Sequence, residues 1–342
     1  MEAPPAQPMN ARTLLGALAL IVLALLTWEL RWVLLVLFGA VVVAVAFDVP
    51  ITLVRRLAPL NRPSALVLVL TLLVLASWLL GHQLLPEVVD QVRQLSELLP
   101  QLANRIDTLS PRLSWLPNLE RSLSDGTVWQ RLQPIGTQVL GFAGGAANTT
   151  IQLLLMLLLA VLLALDPRSH QRLVVAITPS FYRPQMQSLL GRCRAALGGW
   201  LAGMTISAVT VFLLTWAGLA LLRIPLALLS ALVCGLLTFV PTIGPTAATL
   251  LPLALALIVS PTAVLQVLVL RLVLQNVEAF LITPLLLSRT VNLLPTVSLM
   301  AQLCLGALLG LPGVLLALPL VVVLQVICQQ LVVRDVMDRW TT

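Results

Sequence analysis

Eight apolar stretches, at 13–28, 32–47, 64–81, 151–165, 200–222, 226–260, 262–283 and 292–331, run through the chain with almost no charge inside them. Several approach the roughly 20 residues a helix needs to cross hydrocarbon. A soluble fold has no place for them. With 59% hydrophobic residues against 10% charged, and a mean hydropathy of +1.04, too few polar side chains remain to cover a water-facing surface. The bilayer is therefore part of the solvent, and the sequence predicts an all-α, polytopic helical membrane protein with about eight membrane segments. The first stretch follows Arg12, as a signal peptide core would. Its exit, Thr27-Trp28-Glu29-Leu30-Arg31-Trp32, lacks a small-residue cleavage pattern, and another span follows at once, so a retained helical hairpin is expected.

Composition removes whole classes of chemistry. All 20 basic residues are Arg, so Schiff-base and P-loop lysine mechanisms have no residue to use. The net charge of +7 sits between apolar runs and reports membrane topology; no nucleic-acid partner is expected. Cys193, Cys234, Cys304 and Cys328 are scattered singly, without a disulfide framework or metal spacing. His82 and His170 lie in separate polar flanks. With no nucleophile–base pair at usable spacing, no enzyme activity, metal or cofactor is expected.

Arginine placement orients the chain. Arg55, Arg56 and Arg62 follow the second stretch, and Arg168, Arg172, Arg183, Arg192 and Arg194 follow the fourth, which predicts cytoplasmic loops there and both termini inside. The organisation expected is then three spans in 1–81, an extracytoplasmic amphipathic helical segment in 82–148, a fourth span and basic loop in 149–197, a core with broken helices in 198–331, and a cytoplasmic tail in 332–342. Within the outer segment, Leu85, Val88, Val92, Leu95, Leu99, Leu102, Ile106, Leu109 and Leu113 alternate spacings of three and four, a heptad seam. Two readings stay open: helices packed on their own membrane domain, or an intersubunit seam. Pro100 is expected to start a new helix and Pro111 to end or kink one.

Two runs are too long for one span. The 35 residues of 226–260 would measure about 52 Å as one helix, against about 30 Å of hydrocarbon. Pro241-Thr242-Ile243-Gly244-Pro245 interrupts that run, and Gly310-Leu311-Pro312-Gly313 interrupts 292–331. Irregular backbone at membrane depth is tolerated only inside protein or along a wet cavity, and paired broken segments point to a transporter site near the midplane. The alternative is a pair of structural kinks or re-entrant hairpins without a ligand.

Between the breaks lies Arg271-Leu-Val-Leu-Gln275-Asn276-Val-Glu278. Arg271, Gln275 and Glu278 fall at i, i+4 and i+7, a polar stripe on an apolar helix. A charge at bilayer depth costs at least about 2.5–3.5 kcal/mol, so such residues face an interior or an aqueous path. For Glu278 that means either a buried structural pair or coordination of substrate or proton. Arg289, beyond Pro284, reads as an interfacial anchor. Asp48 and Asp166, beside Pro50 and Pro167, read as stop signals at the membrane surface.

The sequence resembles the autoinducer-2 exporter family of bacterial membrane proteins. The resemblance is carried by Gly198-Gly199-Trp200-Leu201-Ala202-Gly203, by Phe239-Val240-Pro241-Thr242-Ile243-Gly244-Pro245, by Gln275-Asn276-Val277-Glu278 with Ile282-Thr283-Pro284, and by Arg289-Thr290-Val291-Asn292-Leu293-Leu294-Pro295 followed by Leu309-Gly310-Leu311-Pro312-Gly313 and Ala317-Leu318-Pro319-Leu320. It implies efflux of a small polar solute, an autoinducer-2-like signalling molecule among the candidates, or sodium/proton antiport. It also implies a bacterial inner-membrane location and a homo-oligomer, a pentamer being one such assembly. Pro241, Gly244 and Pro245 then form the flexible break, and Glu278, Gln275 and Asn276 the polar lining, with H⁺ or Na⁺ as coupling ion. A reading of another class is a non-transporting scaffold whose outer helices bind a partner.

Overall fold

The computed structural model describes residue 18 and residues 21–23, 25–109, 147–240, 243–282 and 294–331. Among these, five helices are long and apolar enough to cross a membrane, and a sixth is reached if one bent pair forms a single span. The helices are α1 (Arg31–Leu57), α2 (Arg62–Leu109), α3 (Ala147–Leu165), α4 (Pro167–Ile177), α5 (Arg183–Leu221), α6 (Ala227–Leu237), α7 (Ile243–Val259), α8 (Pro261–Val277) and α9 (Pro295–Cys328). The apolar stretch at 13–28 lies partly outside the described residues.

Helices without a water-driven core associate through small residues that let backbones approach. That rule builds the first half of the molecule. Ala40 and Ala44 on α1, four residues apart, share one buried cluster with Ala160 and Ala164 on α3, and Ile51, Ala65, Leu66 and Val69 extend it to α2. The α3–α4 junction bends by 88°. Asp166 starts α4 there, its carboxylate accepting from the Ser169 amide at 3.2 Å and the Ser169 hydroxyl at 2.5 Å, with Pro167 in the first turn.

The predicted break at Pro100 does not occur. α2 is continuous over 48 residues and carries both Pro86 and Pro100 inside it. An interior proline removes one helical hydrogen bond, and here tertiary packing offsets the loss: Val88, Leu95 and Leu98 pack against a cluster that includes Leu219, Ile224, Leu226 and Leu255. Gln91, on the same face, accepts the Leu229 amide at 2.8 Å, which satisfies an orphan donor in the first turn of α6. The heptad seam therefore divides. Val88 and Leu95 serve their own chain, while Leu85 and Val92 are exposed. Leu113, Pro111 and the rest of 110–146 lie outside the described residues.

Both overlong runs are broken, and the first folds back on itself. In the first, α6 and α7 are short apolar helices. Leu229 shares a cluster with Leu255 and Ala256, and the Cys234 thiol donates to the Ala248 carbonyl at 3.3 Å. Such pairings, symmetric about residue 241 or 242, define an antiparallel hairpin. In α9 the backbone leaves helical geometry at Gly310, with φ +65° and ψ −149°, a conformation open to glycine. Leu305 then lies beside Gly313, eight residues on, so the arms 295–309 and 311–328 meet at a sharp bend. The two tips share a device. A Cβ on Gly244 would collide with the Leu237 carbonyl, and one on Gly313 with the Leu305 carbonyl. α5 packs against α6, α8 and α9, and so touches both broken runs.

Candidate functional site

The polar stripe on α8 separates into two pairings. At one end, the half-buried Arg271 donates through Nη2 to the Pro245 carbonyl at 2.9 Å and to Gln275 Oε1 at 3.3 Å. Pro245 lies just after the first hairpin tip, so a guanidinium on α8 anchors the start of α7. Gly244 is buried there, and its amide donates to the Val240 carbonyl at 2.7 Å. At the other end, Glu278 opens a π-helical turn, Glu278–Ile282, that continues α8. Such turns mark functional sites more often than ordinary helix does.

Glu278 reaches across to α5, where the Ser207 hydroxyl donates to its Oε1 at 2.9 Å. Ser207 is buried and Glu278 half-buried. The face that presents Ser207 also buries Gly203, Val211 and Thr215, four residues or a turn apart along α5. Arg271 and Glu278 are thus not a pair with each other. About two turns of separation send one to a hairpin carbonyl and the other to a neighbouring helix.

The remaining sequence candidates fall differently. Asn276 is exposed and its amide donates to the Leu272 carbonyl of its own helix at 2.7 Å, so it is not brought together with Glu278. Gln275 is exposed and reaches Arg271. Gly310, Pro312 and Gly313 form the second break, with Gly313 buried. Pro241, Thr242, Pro284 and Arg289 lie outside the described residues.

Two polar features escape reading along the sequence. Gln302, on the first arm of α9, is 2% exposed, and neither its amide nitrogen nor its oxygen has a hydrogen-bond partner among the described residues. Leaving such a group unpaired costs about 1–3 kcal/mol, which marks the position as one suited to a polar guest. Its only signal in the sequence is a lone glutamine in an apolar run. The other is Asp48, which gathers Arg62 at 2.7 Å and Arg194 through its Nε at 3.0 Å, while Arg62 Nε also donates to the Ala164 carbonyl at 2.8 Å. Four helices, α1, α2, α3 and α5, meet in that network. Its members are far apart in the chain, so spacing alone does not reveal them.

Membrane-crossing helices, two Gly/Pro breaks and a carboxylate between them define a multi-pass membrane protein. The family profile described as AI-2E family transporter matches residues 16–333, and the chain belongs to that family. It is similar to "Putative transport protein YrrI" of Bacillus subtilis (strain 168), 26% identical over 161 residues, or 47% of this chain and 46% of that protein. YueF of the same organism, named in the same way, is 22% identical over 242 residues, covering 70% of this chain and 65% of its own length. The similarly named MT0215 of Mycobacterium tuberculosis (strain CDC 1551 / Oshkosh) is 30% identical over 155 residues, 45% of this chain and 42% of its own. The chain thus spans less than two thirds of each of these relatives. The family is one of transporters and is not an enzyme class.

Proposed function

We propose that this transporter exports a small hydrophilic solute, with an autoinducer-2-like signalling molecule as one candidate, by alternating access driven by an ion gradient. The observation that carries the reading is the Glu278–Ser207 contact at the π-helical turn, between helices that hold the two broken runs. A carboxylate is affordable at that depth when it takes part in moving charge or solute. Arg271 on the same helix is tied to the first hairpin tip, so a change at Glu278 reaches that tip through one rigid element. One charge crossing 100 mV releases about 2.3 kcal/mol, enough to bias two conformations of similar energy. The chain would sit in a bacterial inner membrane, both termini cytoplasmic, as a homo-oligomer.

A second reading, sodium/proton antiport, is favoured by the all-oxygen chemistry of Glu278 with Ser207, which suits Na⁺ and H⁺ alike. Proteoliposome flux separates them. Internal pH and Na⁺ are followed under an imposed gradient for wild type and Glu278→Gln without organic solute. Na⁺/H⁺ exchange lost in the variant supports antiport through Glu278. If wild type moves neither ion, antiport is rejected, and candidate polar metabolites are supplied next. A scaffold predicts that Glu278→Gln changes nothing.

A further inference from the structure

A cavity of about 590 Å³ opens between α1, the α3–α4 junction, α5 and the second arm of α9. Its walls are apolar, among them Phe38, Val41, Val174, Leu190 and Ile327. Along α1 it runs from Phe38 to Asp48, ten residues or about 15 Å of helix. Charge enters only at one end, where Asp48, Arg62 and Arg194 close it. Behind Arg62 and Arg194 lies a second pocket of about 460 Å³, lined also by Thr52, Arg55, Arg168 and Asp166. The two spaces share a wall of arginine and differ in chemistry: one is greasy and elongated, the other polar and cationic.

We propose that this paired cavity seats one anionic phospholipid, an acyl chain lying in the apolar part and the phosphate diester meeting the arginines. Four guanidinium groups face two carboxylates there, so an excess of positive charge remains after Asp48 and Asp166 are matched. A free anion would leave the apolar chamber unused, and an uncharged lipid would leave the cationic pocket unanswered. An anionic lipid satisfies both at once. Arg55 and Arg168 are exposed and outside the Asp48 network, so they are available to a headgroup. Basic pockets between membrane helices recognise lipid headgroups by this same complementarity. The seat is independent of what the transporter carries; its role is to fill the space among α1, α5 and α9.

The test uses the full chain, delipidated in neutral detergent, with native mass spectrometry counting retained lipid. Dioleoyl phosphatidylglycerol is expected to bind one per chain, about tenfold tighter than dioleoyl phosphatidylcholine. Arg55→Gln with Arg168→Gln removes that preference, and Val174→Trp, which narrows the apolar chamber, weakens both lipids. Thermal unfolding without added lipid, unchanged in the variants, verifies that each is folded. Equal binding of the two lipids to wild type, or a preference retained in the double variant, overturns the proposal. Competition by millimolar inorganic phosphate as effective as the lipid itself identifies a free-anion site and also overturns it.

Discussion

Asp48 and Glu278 are both carboxylates set into apolar helices, and they are held in opposite ways. Asp48 lies between two guanidinium groups, with side-chain exposures of 19% for Asp48, 20% for Arg62 and 31% for Arg194. Glu278 instead accepts from the Ser207 hydroxyl, while the nearby Arg271 spends its donors on Pro245 and Gln275. The first arrangement fixes a charge by opposing charges and ties four helices together. The second sets a carboxylate against a hydroxyl of α5, a contact that survives a change of protonation. One acid is fixed by charge; under the proposed function the other exchanges.

Neutralising each acid breaks this comparison most sharply. Asp48→Asn leaves two partly enclosed arginines facing each other, and loss of one member of such a network costs about 3 kcal/mol. Thermal unfolding in detergent should fall markedly. Glu278→Gln keeps an acceptor for Ser207 and should change stability by less than about 1 kcal/mol, while ion-coupled flux disappears. If both variants lose stability equally, Glu278 is a structural pair and the contrast fails.

The same contrast shows what was legible beforehand. Glu278 stood out because a lone acid in an Arg271–Gln275–Glu278 stripe is visible in one short window. Asp48 looked like a stop signal because its partners lie 14 and 146 residues away, and no periodicity connects them. The breaks at Gly244 and Gly310 were readable from length arithmetic and proline. That the first break is a full reversal and the second a sharp bend was not, because the carbonyl contacts at Leu237 and Leu305 exist only after folding. Pro100 misled for a related reason: local propensity predicts a stop, and packing by Val88, Leu95 and Leu98 overrides it. Asn276 shared a motif with Glu278 but not a face.

The two breaks sharpen the comparison at a smaller scale. Gly244→Ala or Gly313→Ala inserts a methyl against a carbonyl of the opposite arm, and overpacking of this kind costs about 1–3 kcal/mol. Each should lower the unfolding midpoint, and a variant that folds should show slowed flux, since its tip can no longer close. Arg271→Gln removes a charge-assisted bond to Pro245, worth roughly 1.5 kcal/mol. Hydrogen exchange should rise at the start of α7 and not around Asp48. A rise at both places would mean that the two acids belong to one cooperative unit.

The smallest effect concerns a third acid, Asp166, which is exposed where the other two are not. The Ser169 hydroxyl, followed by its amide, holds the Asp166 carboxyl below its ordinary value of 3.8. Its cap on α4 is therefore fully present above pH 3.8 and is lost as pH falls through the lowered folded value. Hydrogen exchange in the first turn of α4, corrected for intrinsic rates, should accelerate over that window in wild type. Asp166→Asn, which caps without titrating, should remove the pH dependence, and Asp166→Ala should expose the turn at every pH. The effect stays local because α4 buries none of its residues, so its first turn opens without disturbing the helices that carry Asp48 and Glu278.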